Sequence, residues 1–418
     1  PNLESKKRKE IYSLAKGYKI KTLQIPSIDE ITSKGLKINS LKPIEIEDLL
    51  YRDPIPPKKE LLYEATNNNI ILITGAGGSI GSELSRQVSI YNPKGIVFLD
   101  RCEYNLYCLE KEINEIFPNK NIFSFVLGDI LDSKFINKLV DDMNVNIIFH
   151  AAAYKHVPLI EKNPLKGIEN NIIGTLNLCN TTLNNSVDKF ILISTDKAVR
   201  PSNVMGASKR VSELIVMSYG DKERQKKISN PNYKLKIFTM VRFGNVLASS
   251  GSVVPLFKEQ IKNREPITIT HPDIVRYFMT ISEAASLVIQ ASAMAKGSDL
   301  FLFDMGELIS IKTLAEKMIS ISGLTQKTKK NPKGDIEIIY TGLRPGEKLF
   351  EELLIDSDAS KTIHPRIFTA RDSFITTDEI MPKLDKLKAA IEDQNTNQAI
   401  KILKNLVKEW KPQNDTFS

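Results

Sequence analysis

Three chemically different side chains stand next to each other at Thr195, Asp196 and Lys197. A hydroxyl can pass a proton on, a carboxyl can donate one, and a neutral amine can accept one. General acid and base groups of this kind each contribute about 10²- to 10⁴-fold to a reaction rate. An adjacent Asp and Lys are also a common solvated salt bridge, so the place of this triplet in the fold decides between the two interpretations.

The elements predicted around the triplet place it at one edge of a sheet. From Asn69 onward, short apolar runs alternate with amphipathic helical patterns. This alternation predicts parallel βαβ units and an α/β fold with a doubly wound, Rossmann-type sheet, in which ligands collect beyond the carboxyl ends of the strands. Thr195 ends the fifth run, so the triplet is expected at the ligand-binding edge. The runs are IILIT, GIVFLD, NIFSFVLGD, VNIIFHAAA, KFILIST and LKIFTMVRFGN.

A glycine-rich loop follows the first predicted strand in ILITGAGGSIGSEL. Glycine permits the tight turn and the close approach of a ligand, and the following helix offers backbone N–H groups and a positive dipole to a pyrophosphate. A strand before the loop and a helix after it favour a dinucleotide site over a merely tight turn. The expected loop contacts are Gly75, Gly78, Ser79, Ile80 and Gly81.

Asp100 ends the second predicted strand, where a carboxylate can accept from the hydroxyls of an adenosine ribose. A carboxylate there would repel a 2′-phosphate, so the sequence favours NAD over NADP. Arg101 leaves the second cofactor open, because an arginine could bind that phosphate. Asp129 and Ile130 in LGDI are expected beside the adenine, although a helix cap is an alternative role for Asp129.

The segment FHAAAYKHVP follows the fourth predicted strand. Ala151 and Ala153 are small enough for a cofactor to lie against the backbone. Lys155 and His156 are expected to face the crevice as substrate contacts, and packing of the loop is the alternative role for His156.

Met205 and Lys209 lie one turn apart on the helix predicted after the triplet. Many nicotinamide-dependent enzymes with a doubly wound sheet carry Tyr-x-x-x-Lys at this place, and the tyrosine accepts the proton of a substrate hydroxyl. A methionine thioether cannot hold that proton. We therefore expect Met205 to be a packing residue, and we expect Thr195 to relay the hydroxyl proton toward water or Lys209.

Beside a nicotinamide, the triplet fits a reaction that ends with the loss of water. Oxidation of a secondary alcohol to a ketone acidifies the adjacent C–H. A base can then remove that proton while an acid protonates a hydroxyl one carbon further on, and the hydride finally returns to the substrate. Asp196 is the predicted general acid and Lys197 the predicted base.

Seven motifs over about residues 66–370 resemble the nucleotide-sugar 4,6-dehydratases of the extended short-chain dehydrogenase/reductase superfamily. Within that group they resemble the large UDP-N-acetylglucosamine 4,6-dehydratases of the PglF and WbpM type, which belong to the CapD-like polysaccharide biosynthesis proteins and have methionine in place of the tyrosine. The motifs are TGAGGSIGSEL, HAAAYKHVP, STDKAV, NVMGASKR, VRFGNVLASSGSVVPLF, RYFMTI and LRPGEKLFEELL.

The resemblance implies an activity and further site residues. It implies catalytic NAD and conversion of UDP-N-acetylglucosamine to UDP-2-acetamido-2,6-dideoxy-α-D-xylo-hexos-4-ulose, with retention of configuration at C5, for glycan or protein-glycosylation sugars. Asn245 would contact the sugar or its phosphates, Arg276 and Arg344 the diphosphate, and Glu347 a ribose hydroxyl. Each charged group could instead form a surface ion pair.

Three regions are predicted along the chain. Residues 1–65 resemble the end of a small nucleotide-binding-like domain followed by the proline-rich linker YRDPIPPKKE, residues 66–250 form the NAD-binding domain, and residues 251–418 form a UDP-sugar-binding region that ends in two helical patterns. The resemblance also implies a homo-oligomer. It further implies a membrane-spanning region ahead of this fragment, which would place the enzyme at the cytoplasmic face of the bacterial inner membrane.

The composition narrows the alternatives. The 418 residues carry a formal net charge of +8, but the basic residues are mostly scattered and no nucleic-acid-binding module is recognisable, so no nucleic acid partner is expected. Three cysteines without metal-ligand spacing predict no metal site. Two other functions stay open: a UDP-sugar C4 epimerase, which needs the tyrosine but no acid–base pair for elimination, and a non-catalytic NAD(H)-binding sensor or scaffold.

Overall fold

The computed structural model describes residues 55–352 and 359–411, together with Lys7, Ile11, Leu14 and two short paired strands. These strands, β1 (Leu23–Gln24) and β2 (Lys42–Pro43), are antiparallel. Apart from these residues, the part of the predicted N-terminal αβ fragment up to residue 54 lies outside the described residues.

The first strands and helices after the linker follow the predicted alternation closely. In chain order they are α1 (Lys59–Thr66), β3 (Ile70–Thr74), α2 (Ser79–Ile90), β4 (Gly95–Asp100), α3 (Glu103–Ile116), β5 (Phe123–Leu127), α4 (Ser133–Asp142), β6 (Ile147–His150), α5 (Val157–Lys162), α6 (Pro164–Ile168), a π turn (Glu169–Ile173), α7 (Gly174–Asn184), β7 (Lys189–Ile193), a 3-10 turn (Asp196–Ala198), α8 (Val204–Ser229) and β8 (Ile237–Arg242).

The rest of the chain has shorter elements. They are β9 (Asn245–Val246), α9 (Val253–Lys262), β10 (Ile267–Ile269), β11 (Val275–Arg276), β12 (Phe278–Met279), α10 (Ile281–Met294), β13 (Leu300–Phe303), β14 (Ile309–Ser310), α11 (Ile311–Ile321), β15 (Ile338–Tyr340), β16 (Ser360–Lys361), β17 (Ile367–Ala370), α12 (Thr377–Glu392) and α13 (Thr396–Leu406). The two predicted C-terminal helical patterns are confirmed as α12 and α13.

Within the described residues, nine strands form one sheet in the order β16-β17-β13-β8-β7-β6-β3-β4-β5. The strands from β5 to β13 are parallel, and β17 and β16 extend the sheet in the antiparallel sense. The strand order reverses at β3 and β6, which is the switch point where ligands bind in doubly wound sheets. The predicted α/β fold is therefore confirmed.

The central strands form because their side chains are buried on both faces. Ile71, Leu72 and Ile73 of β3 and Phe190 and Leu192 of β7 have no exposed surface. Fully burying one such side chain stabilises a fold by about 1.5–3 kcal/mol. Continuous apolar runs of this kind therefore suit parallel strands with helices on both faces.

The chain divides into two compact units. The larger contains the described residues of 57–244, 281–305 and 344–418, and the smaller contains the described residues of 1–56, 245–280 and 306–343. The sequence places one boundary near residue 250, close to the first crossover at Asn245. The chain then returns to the larger unit twice, because α10, β13 and the segments after Arg344 pack with the sheet.

The smaller unit has its own core. Strands β9 and β12 and strands β10 and β15 pair in parallel, whereas β11 and β14 are antiparallel. Apolar side chains of α9 and α11, including Phe257 and Leu314, are buried together. Among the described residues, no helix is both long and apolar enough to span a membrane.

Candidate active site

The glycine loop connects β3 to α2 through positions that only glycine fits. Gly75 has a φ of +66°, and a Cβ there would lie 2.7 Å from the backbone of Ala152. A Cβ on Gly81 would lie 2.0 Å from the carbonyl oxygen of Gly75. Gly78 precedes the first turn of α2, which begins with Ser79 and Ile80. The loop and the helix N-terminus thus have the geometry of a phosphate-binding loop, and their contacts with a cofactor stay a prediction.

Asp100 connects the second strand to this loop. Its Oδ2 accepts a hydrogen bond from the Gly77 N–H at 2.9 Å, and its Oδ1 accepts from the Cys102 N–H at 2.8 Å. The carboxylate is buried at the end of β4. Its orientation is therefore fixed by two backbone amides, at the place where the carboxylate is expected to accept from a ribose.

Arg101 is held by its neighbours. Its guanidinium carbon lies 4.3 Å from the centre of the Tyr154 ring, and its Nη1 lies 3.5 Å from a carboxylate oxygen of Asp129. Nη1 is also 3.4 Å from the side-chain oxygen of Asn170. Ile130, which follows Asp129, is buried in the core. These contacts compete with binding of a 2′-phosphate by Arg101.

The segment after β6 lies beside the glycine loop. The Ala151 N–H donates to the Thr74 carbonyl at 3.1 Å, whereas Ala153, Lys155 and His156 are exposed. Desolvation by neighbouring protein lowers the pKa of Lys155. Desolvation, and then the charge of Lys155, lower the pKa of His156. Lys155 and His156 are therefore exposed on the loop after β6, where the sequence predicts substrate contacts.

The triplet forms a compact hydrogen-bonded group directly after β7. Oδ1 of Asp196 accepts from the Thr195 hydroxyl at 2.9 Å and from the Lys197 ammonium at 3.0 Å. The Asp196 side chain has no exposed surface, and its Oδ2 has no hydrogen-bond partner among the described residues. A buried oxygen with unused hydrogen-bonding capacity is uncommon, and a catalytic role is one of its explanations. The two oxygens of this carboxyl are therefore in different environments.

Helix α8 carries the two residues of the M-x-x-x-K spacing. Met205 is 3% exposed and lies in the main hydrophobic core, as expected for a packing residue. The Lys209 ammonium donates to the Ile193 carbonyl at 2.8 Å, and burial lowers the pKa of Lys209 to about 8 although Glu213 opposes the shift. The Thr195 hydroxyl donates to Oδ1 of Asp196, so the relay expected toward water or Lys209 has a different first partner.

Gly206 allows α8 to approach the triplet closely. A Cβ at this position would lie 2.3 Å from the Lys197 carbonyl oxygen, so a larger residue would push the helix away. At the start of α8, the Val204 N–H donates to Glu161 at 2.7 Å, and burial raises the pKa of Glu161. The sequence pattern predicted no role for Gly206 or Glu161, although Gly206 follows Met205 directly.

The loop that contains Arg344 and Glu347 is fixed to the start of α8. The Ser202 hydroxyl and the Asn203 amide donate to the Gly346 carbonyl at 2.7 and 2.9 Å. Gly346 has a φ of +75°, and a Cβ there would lie 2.6 Å from that of Asn203. Glu347 accepts from the Arg344 N–H at 3.1 Å, which makes a tight turn on the exposed loop.

Two further residues of this loop lie at the triplet. The Lys348 ammonium donates to the Val199 carbonyl at 3.0 Å. The Glu351 carboxylate lies 3.9 Å from the Lys197 ammonium and is almost fully buried. Both residues lie within the motif LRPGEKLFEELL, but the sequence predicted no role for either. They are far from the triplet along the chain, so no local sequence pattern connects them with it.

Asn245 and Arg276 belong to the smaller unit. Asn245 is half-buried in β9, beside Phe278 of β12. Arg276 is buried, and its Nη1 donates to the Val275 carbonyl at 2.8 Å. Their expected contacts with a sugar and a diphosphate stay predictions.

The sheet, the glycine loop and the hydrogen-bonded triplet are together the features of an extended short-chain dehydrogenase/reductase fold. A family model described as polysaccharide biosynthesis protein matches residues 71–372. The chain belongs to this family of polysaccharide biosynthesis proteins.

Two relatives and two solved structures show the range of the similarity. The capsular polysaccharide biosynthesis protein CapD of Staphylococcus aureus is 43% identical over 88% of this chain, which spans 58% of that relative. A UDP-glucose 4-epimerase of Rickettsia rickettsii is 33% identical over 70% of this chain and 79% of its own length.

Among structures, Pen from Bacillus thuringiensis has a TM-score of 0.64 and 30% identity over 76% of this chain and 97% of its own. The dTDP-glucose 4,6-dehydratase DesIV of Streptomyces venezuelae, solved with NAD bound, has a TM-score of 0.56 and 19% identity over 68% of this chain and 88% of its own. The second similarity shows a shared fold.

Proposed function

We propose that this chain is the catalytic part of an NAD-dependent UDP-N-acetylglucosamine 4,6-dehydratase that retains the configuration at C5. The observation that carries the proposal is the Asp196 carboxyl. One of its oxygens receives hydrogen bonds from Thr195 and Lys197, and the other is buried with capacity for a further hydrogen bond. A carboxyl held in this way can accept a proton at Oδ1 over the Thr195 hydrogen bond and then release it, as a general acid does.

The larger unit has the residues that a dinucleotide needs. Glycines 75 and 81 keep the loop open where a side chain would fill it, and Asp100 presents a fixed carboxylate. Contacts with Tyr154, Asp129 and Asn170 hold Arg101, which favours NAD over NADP. When bound, NAD would take a hydride from C4 of the sugar and return it to C6. We assign Lys209 to the nicotinamide end, because it lies at the carboxyl end of β7.

The triplet moves the protons of the proposed reaction. The C4 hydroxyl gives its proton to the Thr195 oxygen, while the hydroxyl proton of Thr195 passes to Oδ1 of Asp196 over the existing hydrogen bond. Lys197 removes the C5 proton, the C6–O bond breaks, and Asp196 protonates the departing oxygen. The water that leaves thus consists of the C6 hydroxyl and the proton released at C4, so Asp196 ends as the carboxylate with which it began.

Lys197 also accounts for the retained configuration. After the C5 proton has moved to its amine, the same ammonium can return a proton to the same face of C5. In the larger unit, substrate contacts are assigned to Lys155, His156, Arg344 and Glu347. The contacts of Asn245 and Arg276 with a sugar and a diphosphate stay separate predictions. Arginines suit the diphosphate because their planar guanidinium groups can donate two parallel hydrogen bonds to it.

The epimerase is the second candidate, and the 33% identity to a UDP-glucose 4-epimerase favours it. An epimerase needs a group for the C4 hydroxyl proton but no acid directed at C6. The buried Asp196 beside Lys197 is more than that reaction requires, and Met205 stands where the tyrosine would. A non-catalytic NAD(H) sensor would need neither the buried Asp196 nor the Lys197 beside it. Homo-oligomerisation and attachment to the inner membrane stay predictions.

Two variants separate the acid from the base. The 4-keto-6-deoxy product already has its ketone and lacks the C6 hydroxyl, so exchange of its C5 proton in deuterated water needs the base alone. We expect Asp196→Asn to lose dehydration of UDP-N-acetylglucosamine but to keep this exchange. Lys197→Ala should lose both reactions. Nuclear magnetic resonance of the C5 proton measures the exchange, and near-normal dehydration by Asp196→Asn would remove Asp196 from its role.

A further inference from the structure

The Lys197 side chain lies between two buried carboxylates. Its Nζ is 3.0 Å from Oδ1 of Asp196 and 3.9 Å from Oε1 of Glu351. The Asp196 side chain has no exposed surface and that of Glu351 is 4% exposed, whereas the Lys197 side chain is 20% exposed. The Lys197 side chain is therefore partly exposed at a position where two acids flank its amine.

Glu351 comes to this place through contacts of its own loop. Gly346 is fixed to Ser202 and Asn203, and Lys348 donates to the Val199 carbonyl. These bonds bring the segment after Gly346 against the turn that carries the triplet. Removing a carboxylate from water is costly, and a nearby ammonium offsets that cost.

Several charged side chains surround Lys197. Two acids of the described residues, Asp196 and Glu351, have an oxygen within 4.0 Å of its amine. Lys348 interacts electrostatically with both acids and with Lys197 and Arg200, and burial lowers the pKa of Lys348. Arg200 forms an ion pair with Glu352 at the surface. Glu352 thus differs from Glu351 in its partner and serves as a matched comparison.

We propose that Glu351 is a positioning residue for the acid–base pair: its carboxylate holds the Lys197 side chain beside Asp196 and stabilises the protonated amine. The geometry alone carries this contact, and its role in catalysis rests on the proposed dehydratase function. A carboxylate next to an amine makes the amine harder to deprotonate. Glu351 therefore sets the pH at which Lys197 becomes a base.

The direct test measures the protonation of Lys197 rather than turnover. The full chain is briefly acetylated with acetic anhydride over a range of pH, and the peptide containing Lys197 is quantified by mass spectrometry. We expect Glu351→Gln to shift the labelling midpoint of Lys197 to lower pH by about one unit, the size of effect that a charge within about 4–6 Å produces. Glu351→Asp should keep most of the wild-type midpoint, and Glu352→Gln should leave it unchanged.

Other results overturn the proposal. An unchanged or raised midpoint in Glu351→Gln, or an equal shift in Glu352→Gln, contradicts it. Lys166, which pairs with Glu169 at the surface, is the internal reference, because its midpoint should be the same in every variant. The labelling needs no turnover, so it still tests Glu351 if the wild-type protein fails to dehydrate the sugar nucleotide. If the protein is active, the pH dependence of C5 exchange should move in the same direction.

Discussion

The proposed mechanism gives Thr195 the proton-transfer role that a tyrosine has in related enzymes, and it gives Met205 a packing role only. The Thr195 hydroxyl donates to Asp196, and Met205 is buried in the core. A threonine hydroxyl can accept and donate a proton at once, so it can relay a proton without holding a stable negative charge. We therefore expect substitutions at Thr195 and at Met205 to have different effects on the reaction rate.

Met205→Leu should lower kcat less than about tenfold, because the swap nearly conserves volume in a packed core. Thr195→Val keeps the shape but removes the relay, so hydride transfer should slow and the isotope effect with substrate deuterated at C4 should increase. Thr195→Ser restores the hydroxyl and should recover most of the rate. A fully active Thr195→Val together with an inactive Met205→Leu would disprove the relay.

At the residue scale, the sequence predicted candidate site residues that lie close together along the chain. Thr195, Asp196 and Lys197 follow one strand, and the glycines of the first loop follow another, so local pattern and topology located them. Glu351 was not predicted because it reaches Lys197 only through the folded loop after Gly346. The first partner of Thr195 also required the structure, since a hydroxyl rotates freely and the sequence does not give its direction.

At the scale of elements, buried ion pairs connect α8 to the end of β8 and to the C-terminal segment, and a hydrogen bond connects it to the residue after β7. Glu213 accepts from Arg242 at 2.7 and 2.6 Å and from the Ser194 hydroxyl at 2.6 Å. Arg210 bonds to Asp372 and to Glu409. The residue before Thr195 is thus tied to this network, which supports the turn that carries the triplet.

Glu213 should make folding stability sensitive to acid. Burial raises the pKa of Glu213, but the charges of Arg242 and Arg210 and hydrogen bonds from Arg242 and Ser194 exceed that effect and lower it to about 2. The unfolded carboxyl titrates near its usual value of 4.5. The stabilisation is therefore present above about pH 4.5 and is lost as the pH falls toward about 2.

Glu213→Gln tests this linkage in urea unfolding. The variant should lose about 3–5 kcal/mol near neutral pH, because it leaves two buried arginines with less negative charge. Its free energy of unfolding should also fall less steeply with acid than that of the wild type. Glu112→Gln removes a half-exposed partner of Arg86 and should cost less than about 1 kcal/mol. Equal losses in both variants would contradict a special role for the buried network.

The same scale shows where sequence patterns stop being informative. The strands from β3 to β8 are mostly apolar runs separated by helical patterns. This alternation predicted that the strands exist and in which order they follow along the chain. Strands β16 and β17 are short, and their addition to the sheet depends on pairing with β13, which leaves no periodic pattern. The return of α10 and β13 to the larger unit likewise depends on contacts between distant parts of the chain.

At the scale of the whole molecule, the chain is a member of the polysaccharide biosynthesis protein family and spans 58% of its relative CapD. The fold class was predictable because alternating strands and helices allow few arrangements. The substrate is proposed only through resemblance and stays a prediction, since fold alone does not specify function. Nucleotide-sugar dehydratases and epimerases share this fold and a ketone intermediate, so the reaction must be decided by its product.

The central claim is tested most directly by incubating the protein with UDP-N-acetylglucosamine and following the nucleotide sugar by mass spectrometry and nuclear magnetic resonance. The proposed mechanism predicts loss of the mass of one water molecule, a new C6 methyl group and an unchanged configuration at C5. It predicts no net consumption of NAD, because the hydride returns to the sugar. A product of unchanged mass with inverted configuration at C4 would instead identify an epimerase, and unchanged UDP-N-acetylglucosamine in the presence of added NAD would contradict the proposed activity.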